Sequence, residues 1–275
     1  VYQALGLDWI PPELRENQGE LEAAERHQLP KLIELKDIRG DVHMHTRESD
    51  GRASLEEMAE AAKRLGYDYI AITDHSKALA MANGLDEKRV IAFAQRVRQL
   101  NAEGNLGIRI LAGIECDILR DGSMDLDNEA LAQLDFVIGS VHSYMNLPPE
   151  EMTERLLRAM ENPYLNMIAH PTGRLLLQRD GYRFDLERLA EEAARRGICF
   201  EINASPERLD LDPTMLRIAK SKGARFIIGT DAHHPRHLEY MHYGVLTARR
   251  GWLAPEDVLN TLPADEFLQA LHRSH

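Results

Sequence analysis

The sequence has little cysteine and no long apolar segment, and these absences limit the classes of protein to which it can belong. Its two cysteines, Cys116 and Cys199, lie inside apolar segments, which predicts buried thiols in a reducing, cytoplasmic setting. No apolar stretch approaches the roughly 20 residues of a transmembrane helix, so no membrane contact is expected. The opening residues, VYQALGLDWIPPELREN, also lack the basic start, apolar middle and cleavage site of a secretory signal.

The chain is short of basic residues as well. Lysine and arginine total 33 against 45 aspartates and glutamates, so the formal net charge at pH 7 is -12. Proteins that hold an extended DNA duplex usually show clustered basic residues, and this balance argues against such a surface. Bound divalent cations would reverse the balance locally, so an anionic substrate could still bind beside them.

From Gly40 onward, short apolar segments alternate with longer amphipathic ones. This pattern is typical of βα units and a parallel sheet, and the 275 residues suit one α/β barrel. Seven strands are predicted, at 41–46, 69–74, 109–117, 136–142, 166–170, 198–203 and 225–231. Helices are predicted from Ser54, where Glu57 completes a capping box, to Gly66, and at 86–103, 149–161, 185–196 and 212–222. Residues 1–36 carry no strand signal and are predicted to be a linker or the tail of another domain.

Six histidines and three carboxylates fall at or just after the ends of the predicted strands. They are His43, His45, Asp50, His75, Glu115, His142, His170, Asp231 and His233. Imidazole and carboxylate are ligands of zinc, manganese and iron, so the set predicts a pocket for more than one ion. Ligands drawn from nearly every strand end favour a closed barrel, with the site on its C-terminal face.

The spacing within this set supports shared ions. His43 and His45 are two residues apart in a strand, so their side chains point to the same face, and Asp231 and His233 repeat the spacing. Glu115 ends the apolar run RILAGI, where an unpaired charge would be costly. Its carboxylate has two oxygens, so we predict that it bridges two ions.

Two further carboxylates, Asp41 and Asp74, precede predicted ligands by two residues and one residue. One interpretation is that they orient imidazoles from behind the metal site. The alternative is that both make local hydrogen bonds at the strand ends.

The clusters DxHxH, TDH, GxE, SVH, AHP and TDAH, in this order over residues 41–233, resemble the polymerase and histidinol phosphatase (PHP) family. The resemblance implies a distorted (β/α)7 barrel with three divalent ions, zinc, manganese or iron, at the C-terminal face of the strands. It divides the ligands into three groups: His43, His45, Glu115 and Asp231; Glu115, His142 and His170; Asp50, His75 and His233. Asp50 stands where some members have histidine, and a carboxylate favours harder ions.

Three segments refine the resemblance: HPTGRLLLQRDGY (170–182), EINASPERLDL (201–211) and GVLTARRGWL (244–253). Together with the opening residues they look like the C-terminal part of a bacterial family X DNA polymerase. On this resemblance the chain is a fragment, with residues 1–36 the linker and end of an upstream polymerase region and 37–275 its PHP domain. The implied activity is a manganese-supported 3'-5' exonuclease that processes DNA 3' ends in repair.

Roles within the site are predicted as well. Glu115, Asp231 and His233 are expected to be catalytic as metal ligands. Substrate contacts are predicted first for Arg174, which could clamp a phosphate in bidentate fashion, then for Asn203, Arg52, Lys77 and Arg208. Bystander roles are expected for His27, His272 and His275, and no strand register supports a role for His234, His237 or His242.

The sequence leaves two alternative functions open. The first is a small-molecule phosphomonoesterase of the histidinol-phosphate phosphatase type, which would use the same metals; the polymerase-like opening residues argue against it. The second is a non-catalytic domain that stabilises or docks a polymerase, which the complete ligand set opposes.

Overall fold

Short parallel strands form the frame of the molecule. A computed structural model describes residues 1–271, and within them the strands are β1 (Gly40–Asp41), β2 (Tyr69–Ile72), β3 (Arg109–Asp117), β4 (Phe136–Ser140), β5 (Met167–Ile168), β6 (Cys199–Asn203) and β7 (Arg225–Gly229). Each strand pairs in parallel with the next along the chain. A parallel bridge between Met44 and Ala232 joins the segments that follow β1 and β7. The sheet is therefore a nearly closed barrel, and the predicted (β/α)7 fold is confirmed.

Helices pack around the outside of this sheet. In the described part of the chain they are α1 (Glu20–Glu25), α2 (Leu55–Arg64), α3 (Glu87–Glu103), α4 (Asn128–Leu131), α5 (Pro149–Met160), α6 (Leu186–Arg196), α7 (Pro213–Ser221), α8 (Met241–Arg250) and α9 (Ala264–Leu271). All five predicted helices are present. Ser54 caps α2 as expected, since its side chain accepts a hydrogen bond from Glu57 N and Glu57 accepts one from Ser54 N. The pattern did not predict α8, whose Gly244 is a poor helix former but lets the helix approach Ile228 of β7 closely.

Alternation along β3 places its side chains in two different cores. Ile110, Ala112 and Ile114 face the helices, whereas Leu111 faces the barrel interior. Glu115 is in phase with Leu111, so it also points into the barrel. The opposite, N-terminal end of the interior is filled by apolar side chains and closed by Phe267 of α9, whose ring centroid lies 5.2 Å from that of Tyr69. The polar interior is thus restricted to the C-terminal end.

Two predicted strands are much shorter than expected. The β1 ladder ends at Asp41, and residues 43–46 continue as a segment held by Thr73 and Ala232, with His45 N donating to Ala232 O at 2.8 Å. The β5 ladder ends at Ile168, because His170 adopts a left-handed φ of 27° before Pro171. At both places the chain leaves the sheet where predicted ligands begin.

The segment before β1 packs on the barrel. Ile10, Leu14 and Ala24 form a small apolar cluster against Trp252, and Glu13 pairs with Arg249 at 2.6 Å. As expected, this segment contains no strand between residues 1 and 36. Its assignment to an upstream polymerase region stays a prediction.

The remaining expectations concern composition. Both cysteines are buried, as predicted. No helix within residues 1–271 has the length and apolarity required to cross a membrane. Two of the expected bystanders, His272 and His275, lie outside the described residues.

Candidate metal centre

The nine predicted ligand residues lie together at the C-terminal end of the barrel. Glu115 belongs to β3, and the other eight lie on segments that follow the ends of β1, β2, β4, β5 and β7. Eight of the nine, all but His170, have ligand atoms in three overlapping groups, within each of which all atoms lie within 4.8 Å of one another: His45, Asp50, His75 and His233; His43, His45 and Asp231; His75, Glu115 and His142. The prediction of one shared pocket is confirmed, and metal binding by these residues stays a prediction.

The two oxygens of Glu115 face different histidines. Oε2 lies 3.0 Å from Nδ1 of His75 and 3.3 Å from Nε2 of both His43 and His45. Oε1 lies 2.9 Å from Nε2 of His170 and 3.3 Å from Nε2 of His142, and it accepts a hydrogen bond from Ser140 Oγ. This division is the geometry that a bridging carboxylate requires.

A third set of atoms surrounds Asp50 at the mouth of the pocket. Its Oδ2 lies 3.5 Å from Nε2 of His75, and its Oδ1 lies 3.4 Å from Nε2 of His233. The side chains of Asp50 and His233 are each about one-third exposed, whereas His43 and His45 are fully buried. The pocket therefore runs from a buried floor to an accessible rim.

Several buried polar atoms of this pocket have no hydrogen-bond partner among residues 1–271. They include Nε2 of His43, both ring nitrogens of His45, Nδ1 of His75 and Oε2 of Glu115. A buried polar atom without a partner costs about 1–3 kcal/mol, so this many in one place calls for a common partner. Nitrogen and carboxylate oxygen are donor atoms for divalent cations, and the residues fit such ions.

The electrostatics of the pocket also favour cations. Burial by itself would raise the pKa of Glu115, but the surrounding histidines, His75 foremost, hold it well below its usual value. Burial opposes a charge on His75, yet Glu115 and Asp50 outweigh it and raise the pKa of His75 to about 10. Burial and two neighbouring imidazoles lower the pKa of His45 to about 3, so this ring is neutral and keeps the lone pair that a metal ligand needs.

The carboxylates that orient the imidazoles are Glu201 and Asp117, which sequence reasoning missed. Glu201 Oε1 contacts Nδ1 of His43 at 2.5 Å, and Asp117 Oδ1 contacts Nδ1 of His142 at 2.7 Å. Asp117 lies two residues after Glu115 on the same strand, which was an available signal.

Asp41 and Asp74 have the local role that was considered as the alternative. Asp41 accepts hydrogen bonds from Thr230 and from the backbone of His43, and burial raises its pKa to about 6. Asp74 accepts bonds from the backbone and hydroxyl of Thr46 and from Ser49. Of the two interpretations, the local one is correct: Asp41 ties the end of β1 to Thr230 after β7, and Asp74 holds the loop after β1.

The sequence of this chain is similar to those of known proteins. Residues 41–205 match the model of the PHP domain. The chain belongs to the PHP family. It is 46% identical over 259 residues to the DNA polymerase/3'-5' exonuclease PolX of Bacillus subtilis, an alignment that covers 94% of this chain and 45% of that protein. It is 32% identical over 208 residues to a probable phosphatase of Acetivibrio thermocellus, covering 70% of this chain and 78% of the relative.

Solved structures support the PHP fold. The putative histidinol phosphatase of Listeria monocytogenes superposes with a TM-score of 0.56 at 15% identity, covering 72% of this chain and 97% of that one. The histidinol phosphate phosphatase of Lactococcus lactis, complexed with zinc, L-histidinol and phosphate, superposes with a TM-score of 0.55 at 20% identity, covering 78% and 94%. At these identities the likeness shows the fold alone.

Around the PHP pocket, two arginines occupy different positions from those expected. The preferred phosphate clamp, Arg174, donates its Nε to Arg208 O at 2.8 Å and its Nη2 to Leu209 O, so its guanidinium is engaged by the loop. Arg208 instead reaches the pocket, with Nε 3.3 Å from Oδ2 of Asp231. The structure therefore places Arg208, and not Arg174, beside the predicted ligands.

The other predicted substrate contacts also differ in whether their side chains reach the pocket. Asn203 lies in the pocket and donates to Oδ2 of Asp231 at 3.2 Å. Lys77 pairs with Glu87 on the surface, and Arg52 is exposed with its backbone N donating to His233 O. Of these three, Asn203 is the one that contacts a predicted ligand through its side chain.

Proposed function

We propose that this PHP domain holds three divalent ions and hydrolyses phosphodiester bonds at DNA 3' ends as a 3'-5' exonuclease. One observation carries the metal-dependent part: Glu115 directs one oxygen to His43 and His45 and the other to His142 and His170, amid buried nitrogens that lack partners. The choice of DNA is supported by the 46% identity to the Bacillus polymerase/exonuclease. Because the chain spans 45% of that relative, the attached polymerase region is part of the proposal.

The ligands would divide into the three groups that the resemblance implies. Bound ions would supply an activated water nucleophile at neutral pH and neutralise charge on the phosphate. Zinc, manganese and iron all accept imidazole and carboxylate, and we propose manganese as the supporting ion. Asp231 lies between the predicted metal ligands and the predicted substrate contacts. Its Oδ1 lies 3.3 Å from Nε2 of His45, and its Oδ2 faces Arg208 and Asn203.

Arg208 is the side chain best placed to bind the scissile phosphate. Its side chain is 18% exposed, and its Nε already interacts with Asp231 at the edge of the ligand cluster. A guanidinium keeps its charge at any working pH and can donate two parallel hydrogen bonds to a phosphate. Arg174 would act through Arg208, because it holds the backbone carbonyls of Arg208 and Leu209.

A phosphomonoesterase is the second candidate. It is favoured by the 32% identity to a probable phosphatase, of which the alignment covers 78%. Such an enzyme would use the same ligands, because the difference lies in the group attached to the phosphate.

The decisive experiment compares substrates on the purified chain with manganese. The substrates are 5'-labelled single-stranded DNA, 5'-labelled gapped DNA and histidinol phosphate, and the control is the Asp231→Ala, His233→Ala double variant. Stepwise shortening of DNA that disappears in the control supports the exonuclease. Hydrolysis of histidinol phosphate alone overturns it in favour of the phosphomonoesterase, and no hydrolysis by a metal-loaded protein favours a non-catalytic role.

A further inference from the structure

A cleft of about 360 Å³ opens beside the predicted metal ligands. It is lined by two of these ligands and by residues that have no predicted role in metal binding. Asp231, His233 and Arg208 form its polar side, and His237, Tyr240 and Leu175 supply rings and apolar surface. The volume lies at the lower end of the roughly 300–1,000 Å³ that small-molecule sites occupy. The cleft thus joins a phosphate-binding corner to a flat, partly apolar wall.

The flat wall follows from the local backbone. Residues Pro235–Tyr240 form a 3-10 helix, in which side chains three residues apart lie above one another. His237 and Tyr240 have this spacing, and their rings stack with centroids 4.9 Å apart and an angle of 17° between the planes. Both side chains are half-buried, so the stack remains open to the cleft.

The stack is fixed relative to the metal centre. His237 Nδ1 accepts a hydrogen bond from the backbone N of His233 at 3.3 Å, and His233 lies 3.4 Å from Asp50. A group whose phosphate contacts Arg208 would therefore meet the rings within the same cleft. Aromatic side chains stack on any nucleobase, because every base has a π-face.

We propose that the His237–Tyr240 stack is the binding site for the base of the 3'-terminal nucleotide. This inference rests on the proposed exonuclease function and names the part of the substrate that the cleft recognises. Stacking of one base changes affinity by about 5- to 150-fold. Because stacking tolerates all four bases, the site would distinguish a nucleotide from a bare sugar phosphate without selecting a sequence.

Binding of the product tests this without relying on turnover. Isothermal titration calorimetry with the manganese-loaded full chain compares deoxyadenosine monophosphate with deoxyribose 5-phosphate, which lacks the base. We expect the nucleotide to bind about 5- to 150-fold more tightly. Tyr240→Leu should bring the ratio close to one, and Tyr240→Phe should preserve it.

Tyr243 provides the matched control. It lies one turn further along, outside the walls of this cleft, with its ring centroid 6.2 Å from that of Tyr240 and 38% of the residue exposed. Tyr243→Leu should therefore leave the ratio of affinities unchanged.

Equal affinities for the two ligands in the native protein would overturn the proposal, whatever the variants do. An unchanged ratio in a Tyr240→Leu protein with native melting temperature and metal content would overturn it as well. The exonuclease proposal is tested separately. If the chain prefers the nucleotide but does not shorten DNA, the base site is supported and the exonuclease proposal is overturned. If the chain shortens DNA but does not prefer the nucleotide, only the base-site proposal is overturned.

Discussion

Glu201 Oε1 lies 2.5 Å from Nδ1 of His43, and both side chains are fully buried. The other oxygen of Glu201 accepts a hydrogen bond from the backbone N of His170 at 2.5 Å. With Nδ1 engaged, Nε2 of His43 is left to face Glu115 and Asp231. A carboxylate behind a metal-binding imidazole fixes its tautomer and its ring orientation, and Glu201 has this position.

Glu201→Gln is expected to weaken metal binding by about 10- to 100-fold, the usual effect of losing such a partner. The two oxygens of Glu201 both accept hydrogen bonds, whereas glutamine offers one acceptor, so its NH2 group would face either His43 or the N–H of His170. Competition with a chromophoric chelator measures the affinity. Glu192→Gln, which removes a surface carboxylate paired with Arg195 and Arg196, is the control and should bind metal normally. Equal affinities for the two variants would contradict the assignment.

Gly229→Ala should disturb the same contact from the neighbouring strand. A Cβ at Gly229 would lie 2.5 Å from Oε1 of Glu201 and 2.8 Å from Cβ of His43, so one of these side chains must move. Overpacking of this kind typically lowers the free energy of unfolding by about 1–3 kcal/mol. Urea denaturation of the metal-free protein measures the loss.

The Glu201→Ala, Gly229→Ala double variant identifies the cause of that loss. If Gly229→Ala acts through Glu201, the two changes should be non-additive by at least about 0.5 kcal/mol. Strict additivity would show that the loss arises elsewhere.

Periodicity and chemistry together explain which parts of the site could be read from the sequence. Glu115 was identifiable because a charge at the end of a buried strand needs a partner, and the same argument applies to Glu201 in CFEIN. Glu201 was missed because β6 was considered only for Asn203, although the two residues point into the barrel together. The positions of Arg174 and Arg208 were not accessible in this way, because they depend on loop contacts between residues 172–179 and 205–212, where no period applies.

Metal content should separate the three ligand groups. We expect three ions per native chain, two for Asp50→Ala and one for Glu115→Gln, because Glu115 belongs to two of the proposed groups and Asp50 to one. Elemental analysis by inductively coupled plasma mass spectrometry after desalting gives the stoichiometry. Loss of the same number of ions from both variants would be inconsistent with a bridging Glu115.

Arg208 and Arg174 should differ in how their loss affects DNA hydrolysis. Arg208→Ala removes the cation beside Asp231, and loss of one such electrostatic contact to a transition state typically lowers the rate by about 10²–10³-fold. Arg208→Lys should recover part of the rate, because lysine keeps the charge but not the two parallel hydrogen bonds. The value to compare is kcat/KM on 5'-labelled single-stranded DNA with manganese.

Arg174→Ala should have a smaller effect on kcat/KM and should also lower the melting temperature, because Arg174 supports the backbone at Arg208 and Leu209. Lys77→Ala removes a surface ion pair with Glu87 and should leave both measurements unchanged. The opposite result would be loss of hydrolysis in Arg174→Ala at native stability, with Arg208→Ala still active. It would show that Arg174, and not Arg208, contacts the phosphate. That outcome would require the 205–212 loop to rearrange when substrate binds, since the Arg174 guanidinium donates hydrogen bonds to two carbonyls of that loop.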